Sequence, residues 1–194
     1  MALTSAGMEA FLTTLLLTAI VQTGDRAQLL CAALGQRFAR PVLLTIGVAL
    51  ACGLMALIGA LGGVVVGTWI SLDALRLFYA LSLLFAGLGM LAPRRPVDTL
   101  PGWRTGPLLT GMLGLFILQF GDKGQFIVAA TAARSHDWVW PLIGGWAGTV
   151  LGLMPAIIWQ ERLAAWPIRP ARIAAGLVIT AIGLALALGA FGLV

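Results

Sequence analysis

Two stretches of this chain gather carboxylate, carboxamide and basic side chains inside otherwise apolar sequence. They are Gln22-Thr23-Gly24-Asp25-Arg26-Ala27-Gln28 and Gln119-Phe120-Gly121-Asp122-Lys123-Gly124-Gln125. Each reads Gln-x-Gly-Asp-basic-small-Gln, and the copies lie 97 residues apart in a chain of 194. A charge at the middle of a bilayer costs about 2.5–3.5 kcal/mol on insertion scales, so ionisable residues kept there point to function. On a continuous helix, Gln22, Asp25 and Gln28 fall on one arc, as do Gln119, Asp122 and Gln125. Each arc offers one carboxylate and two carboxamide oxygens, a donor set suited to hard cations such as calcium, magnesium or manganese. The same carboxylates could carry protons. Gly24 and Gly121 permit a local break, which would add unwound carbonyls as ligands. Arg26 and Lys123 do not face the neighbouring aspartates on an intact helix. They are expected to pair with the aspartate of the other copy, to snorkel, or to replace a departed ion as counter-charge. A plain polar clasp without ligand is the competing reading.

The elements that must position these motifs are helices in a membrane. The chain is 60% hydrophobic and 10% charged, with a mean hydropathy of +1.02, where a soluble domain carries about 25% charged residues. Apolar runs and their breakers predict six spans: Met8–Leu34, Val42–Val66, Leu72–Leu91, Pro107–Ala133, Val139–Trp159 and Ala171–Leu193. The expected fold class is thus an all-α membrane protein. It forms a single transmembrane domain over 1–194, with repeats at about 8–91 and 106–193 joined by the loop 92–105.

Arg37 and Arg134 share the offset of 97, while Arg76 with Arg172 and Gly87 with Gly183 share an offset of 96. Three spans per half is an odd number, so the second half must enter from the opposite face. Such inverted repeats place equivalent segments together near the midplane, which would turn the two motifs into one site. The loops after spans one, three and five hold eight basic residues: Arg37, Arg40, Arg94, Arg95, Arg104, Arg162, Arg169 and Arg172. The positive-inside rule puts that side in the cytoplasm and both termini outside; the expected location is the bacterial inner (cell) membrane. Trp140, Trp159 and Trp166 fall near span ends, as interfacial aromatics or as packing.

Several features take blander readings. Single basic residues at loop ends are a topology signal, so no nucleic-acid partner is expected despite a net charge of +5. Cys31 and Cys52 lack metal-ligand spacing and read as small buried side chains. Gly144, Gly148 and Gly152 read as a small-residue face for close helix packing. His136, beside Asp137, reads as external surface, and Glu161 with Arg162 as interfacial charges. No nucleophile–base pair accompanies either motif, so an enzyme is not expected. No cofactor is expected either. The partners are a transported cation, protons and the lipid bilayer.

At the two motifs the sequence resembles the Gdt family of cation/proton antiporters (transmembrane-protein-165-like). That family carries Glu-x-Gly-Asp-Lys/Arg-Thr/Ser, commonly followed by Gln, in each of two inverted three-span halves. Gly24, Asp25, Arg26 and Gln28 match the first copy; Gly121, Asp122, Lys123 and Gln125 match the second. The segment Leu30–Arg40 is similar to the family's continuation after its first motif. The resemblance implies manganese or calcium exchanged for protons, with Asp25 and Asp122 as ligands of the transported ion. The departures are systematic. The family's Glu is Gln22 and Gln119, and its Thr/Ser is Ala27 and Gly124. Four carboxylates against two basic residues become two against two. The expected function is a secondary transporter working by alternating access at a midplane site. Alternatives are a carrier of a monovalent cation or small polar solute, and a non-transporting accessory subunit.

Overall fold

The computed structural model describes residues 5–93, 96–160 and 168–192. Arg94, Arg95, Glu161, Arg162 and Trp166 lie outside the described residues. Among those described, the chain forms eight α-helices and no strand: α1 (Ser5–Gln22), α2 (Arg26–Arg37), α3 (Pro41–Trp69), α4 (Leu72–Leu91), α5 (Pro107–Gln119), α6 (Lys123–Ser135), α7 (Val139–Trp159) and α8 (Ile168–Ala190). Five of them, α1, α3, α4, α7 and α8, are long and apolar enough to cross a membrane. Prolines open α3 and α5 at a position where the missing N–H has no helical partner to lose. Ser71 caps α4 by accepting the amide of Ala74 at 3.3 Å.

The first and fourth expected spans are not continuous. Each divides at its motif, giving α1 with α2 and α5 with α6. The cause is local and the same in both. Gly24 and Gly121 take φ of 69° and 71°, the left-handed conformation that ends a helix and that a Cβ disfavours. Asp25 and Asp122 then return to extended backbone and start α2 and α6. Neither aspartate caps its own helix through its side chain, so both carboxylates are free for other partners.

Glycines let the helices close on one another. Gly144, Gly148 and Gly152 bring α7 onto α1, where a Cβ at Gly144 would fall 2.2 Å from Thr14 Oγ1. Gly47 brings α3 onto Leu108 of α5, and Gly63 brings it onto Ala129 of α6. Gly87 meets Gly176 and Thr180, while Gly183 meets Ala80 and Leu84, which fastens α4 along α8.

The buried apolar residues form two larger clusters. One gathers Leu30, Leu34, Leu44, Leu115, Leu153 and Ile157. The other gathers Val21, Tyr79, Leu83, Met90, Ile127 and Ile179. Both broken helices change cluster at the break: α1 sits in the second and α2 in the first, α5 in the first and α6 in the second. The motifs therefore lie between two apolar plugs. Large apolar side chains such as Leu16, Ile58, Phe85, Ile117 and Leu177 are exposed on the outside, the surface lipid would cover.

Candidate cation site

The starting points of α2 and α6 face a common centre, and one side chain joins them. Lys123 is buried, with its ammonium 2.6 Å from Asp25 Oδ2 and 3.5 Å from Asp122 Oδ1. It thus pairs with the aspartate of the other motif as well as with its own neighbour. The helix break makes this possible, because adjacent residues on an intact helix point apart. Arg26, in the equivalent position of the first motif, is exposed and makes no hydrogen bond or ion pair among the described residues.

Gln22 and Gln119 end α1 and α5, and both are buried. They line a cavity of about 20 Å³ together with Cys52, Asp122, Gln125 and Thr149. That is room for about one water molecule or one stripped ion. Gln22 Oε1, Gln119 Nε2 and Asp122 Oδ2 are buried without a hydrogen-bond partner. Buried polar atoms are seldom left so, and two of these three are oxygen acceptors. Gln119 Oε1 has only the Cys52 thiol, at 3.8 Å.

Gln28 and Gln125 are placed differently from the arc drawn on a continuous helix. The Oε1 of Gln28 accepts the Gly24 amide at 2.7 Å, and that of Gln125 accepts the Gly121 amide at 2.8 Å. Their Nε2 groups donate to Gly152 O at 2.8 Å and Met55 O at 3.4 Å. Each side chain pins its own break and ties it to a helix of the other half, α7 or α3. In this structure their oxygens are engaged by backbone.

Positive charge around the centre is supplied three ways: by Lys123 and by the N-terminal ends of α2 and α6, each carrying roughly half a unit charge. Against two carboxylates this leaves the site close to neutral with no further cation. A divalent ion added beside Lys123 would crowd like charges into a cavity of water size.

Cys52 and Thr149 were not expected at the site. They too are 97 residues apart, and that offset was the signal available for them. His136 caps the end of α6 in the left-handed conformation, at φ 51° and exposed. The far ends of the half-helices differ. Arg37, closing α2, donates to the carbonyls of Leu100, at 2.5 Å, and of Trp103. Arg134, near the end of α6, pairs with Glu9 at 3.6 Å and lies over the Tyr79 ring. It faces a cavity of about 160 Å³.

Apolar helices around two broken ones, with paired charges at the breaks, make a multi-pass membrane protein, and its family makes it a cation transporter. The chain belongs to the family described as divalent cation/proton antiporter GDT1, which it matches over residues 10–97 and 107–193. It is also 28% identical over 145 residues to a Vibrio cholerae protein named "Putative manganese exporter", covering 72% of this chain and 70% of that one. No solved structure matches the chain.

Proposed function

We propose that the chain exchanges a divalent cation for protons by alternating access, at the site shared by the two motifs. The observation that carries this reading is the shared ammonium. Two half-buried aspartates, released from capping their own helices, close on Lys123 beside a cavity with unsatisfied oxygens. A cation arriving there displaces the ammonium and takes Asp25 and Asp122 as ligands, with the carboxamide oxygens of Gln22 and Gln119 completing its shell. Protons and cation compete for the same two carboxylates, which couples their movements. Manganese or calcium is the cargo the family and the named relative suggest.

The six-span, two-repeat arrangement belongs to the same proposal. The two stretches matched by the family begin 97 residues apart. Contacts recur at that offset with the halves exchanged: Gln28 to Gly152 against Gln125 to Met55, and Gly47 to Leu108 against Gly144 to Phe11. Between α4 and α8 the Gly87 and Gly183 contacts recur at 96. Three crossings per half, with both termini outside the cytoplasm, accord with the odd count and the distribution of basic residues.

One observation favours a monovalent cargo instead: the site already seats a single ammonium charge. Ion uptake and proton release in proteoliposomes, across a panel of monovalent and divalent ions, separates the two. Asp25→Asn and Asp122→Asn are each expected to abolish flux, and undiminished flux in both would reject the site. Replacing Gln22 and Gln119 together by Glu should tighten divalent binding about tenfold, a gain of about 1.4 kcal/mol. No gain for manganese or calcium would favour the monovalent cargo.

A further inference from the structure

The contacts of the two halves differ most at one place. α4 packs against α6, with Phe85 and Phe126 edge to face at 5.4 Å between centroids. Gly89 of α4 leaves room for the Lys123 stem, since a Cβ there would lie 3.4 Å from Lys123 Cδ. The corresponding pair is α8 with α2, and it makes no comparable contact among the described residues. Leu29 stands where Phe126 stands in the other half, while Ala181 and Ala185 correspond to Phe85 and Gly89. All three are exposed. Arg26, the counterpart of Lys123, is exposed on this uncovered side of α2. In the inverted-repeat arrangement proposed above, rocking one half against the other gives a second conformation in which the halves exchange roles.

We infer that Arg26 is the second counter-charge of this site. It is seated on Asp122 in an opposite-facing state where α8 closes on α2 and α4 leaves α6. The inference rests on the transport reading proposed above. The tightly joined α4–α8 pair is the moving unit, because its Gly87 and Gly183 contacts repeat across the halves and survive the exchange. Small residues at 181 and 185 give the guanidinium stem the space that Gly89 gives Lys123. In one state Lys123 holds the empty site neutral from the α6 side; in the other Arg26 does so from the α2 side. The site is then never left as two unpaired carboxylates while it changes face.

Two cysteine pairs in the full chain, reconstituted in liposomes, read the two states. Phe85→Cys with Phe126→Cys reports the state described here, and Leu29→Cys with Ala181→Cys reports the exchanged one. Cys31 and Cys52 are buried and stay in place. Both pairs are expected to form disulfides under mild oxidation, in different fractions of the molecules. Lys123→Ala should raise the Leu29–Ala181 cross-link severalfold, and Arg26→Ala should lower it by a similar factor. The Phe85–Phe126 cross-link, moving the opposite way, shows that each variant is folded. A Leu29–Ala181 cross-link that never forms, or that responds equally to both substitutions, would overturn the inference. Asp25→Asn and Asp122→Asn flux distinguishes its failure from that of the transport reading. Aspartate-dependent flux with unresponsive cross-links removes only the role of Arg26. Responsive cross-links without flux of any cation remove the cargo and leave the exchange.

Discussion

The two motifs agree at six of seven positions by residue class, yet they stand in different surroundings. In the second, Lys123 is buried and bridges both aspartates; in the first, Arg26 is exposed and pairs with nothing among the described residues. The breaks themselves are nearly identical, with φ of 69° and 71° at the glycines and a glutamine folded back onto each glycine amide. The difference comes from outside the motifs. α4 covers α6, and its counterpart α8 makes no comparable contact with α2 among the described residues. A short polar sequence fixes how its own helix breaks. Which copy is charged, buried and paired is decided by what packs over it.

The sharpest way to break this comparison is to remove the basic residues one at a time. Lys123→Met strands two carboxylates in the interior and is expected to cost about 3–5 kcal/mol. Arg26→Met, at an exposed position, should stay within about 0.5 kcal/mol. Thermal unfolding in detergent measures both, and equal losses would mean that the two motifs are not differently seated. The glutamines come next. Gln28→Ala leaves the Gly24 amide and the Gly152 carbonyl unpaired, for about 1–3 kcal/mol. Gln125→Ala should cost less, because its amide reaches Met55 O at only 3.4 Å and its side chain is less buried. A larger loss at Gln125 would reverse the assigned order.

The smallest difference is expected at the glycines. A Cβ at Gly121 meets nothing within 4 Å, so Gly121→Ala carries only the left-handed strain, about 1–2 kcal/mol. Gly24 is buried with nearly the same φ, and Gly24→Ala should cost at least as much. Unfolding midpoints of the two variants compare them directly. A negligible effect at either would mean that the break does not depend on glycine there.

Much of the fold was legible in the residues, and for definable reasons. Apolar run length marked α3, α4 and α7 to within a few residues, because crossing a bilayer leaves little choice of composition. The close packing of α7 on α1 was readable as Gly144, Gly148 and Gly152 at spacing four. The break at each Gly-Asp step was readable as a possibility, but helical periodicity alone favoured one continuous arc. The roles of Gln28 and Gln125 changed with it: once Gly24 and Gly121 turn the chain, the nearest donors to those oxygens are the freed glycine amides. Cys52 and Thr149 gave no chemical signal, since a buried thiol or hydroxyl on a helix is ordinarily plain packing.

By itself the sequence determined that the protein lies in a membrane, that its two polar centres are related at a fixed offset, and that each centre holds a residue able to stop a helix. Those properties are local or compositional. They depend on transfer cost, on chain conformation at glycine and on residue spacing. Only the tertiary structure decided that Lys123 reaches across to Asp25 while Arg26 does not. It also decided that Gln22, Gln119 and Asp122 keep polar atoms turned into a cavity the size of one water. Pairing across the two halves depends on which helix packs over each break, and helix-on-helix packing has near-equivalent solutions that no seven-residue motif distinguishes.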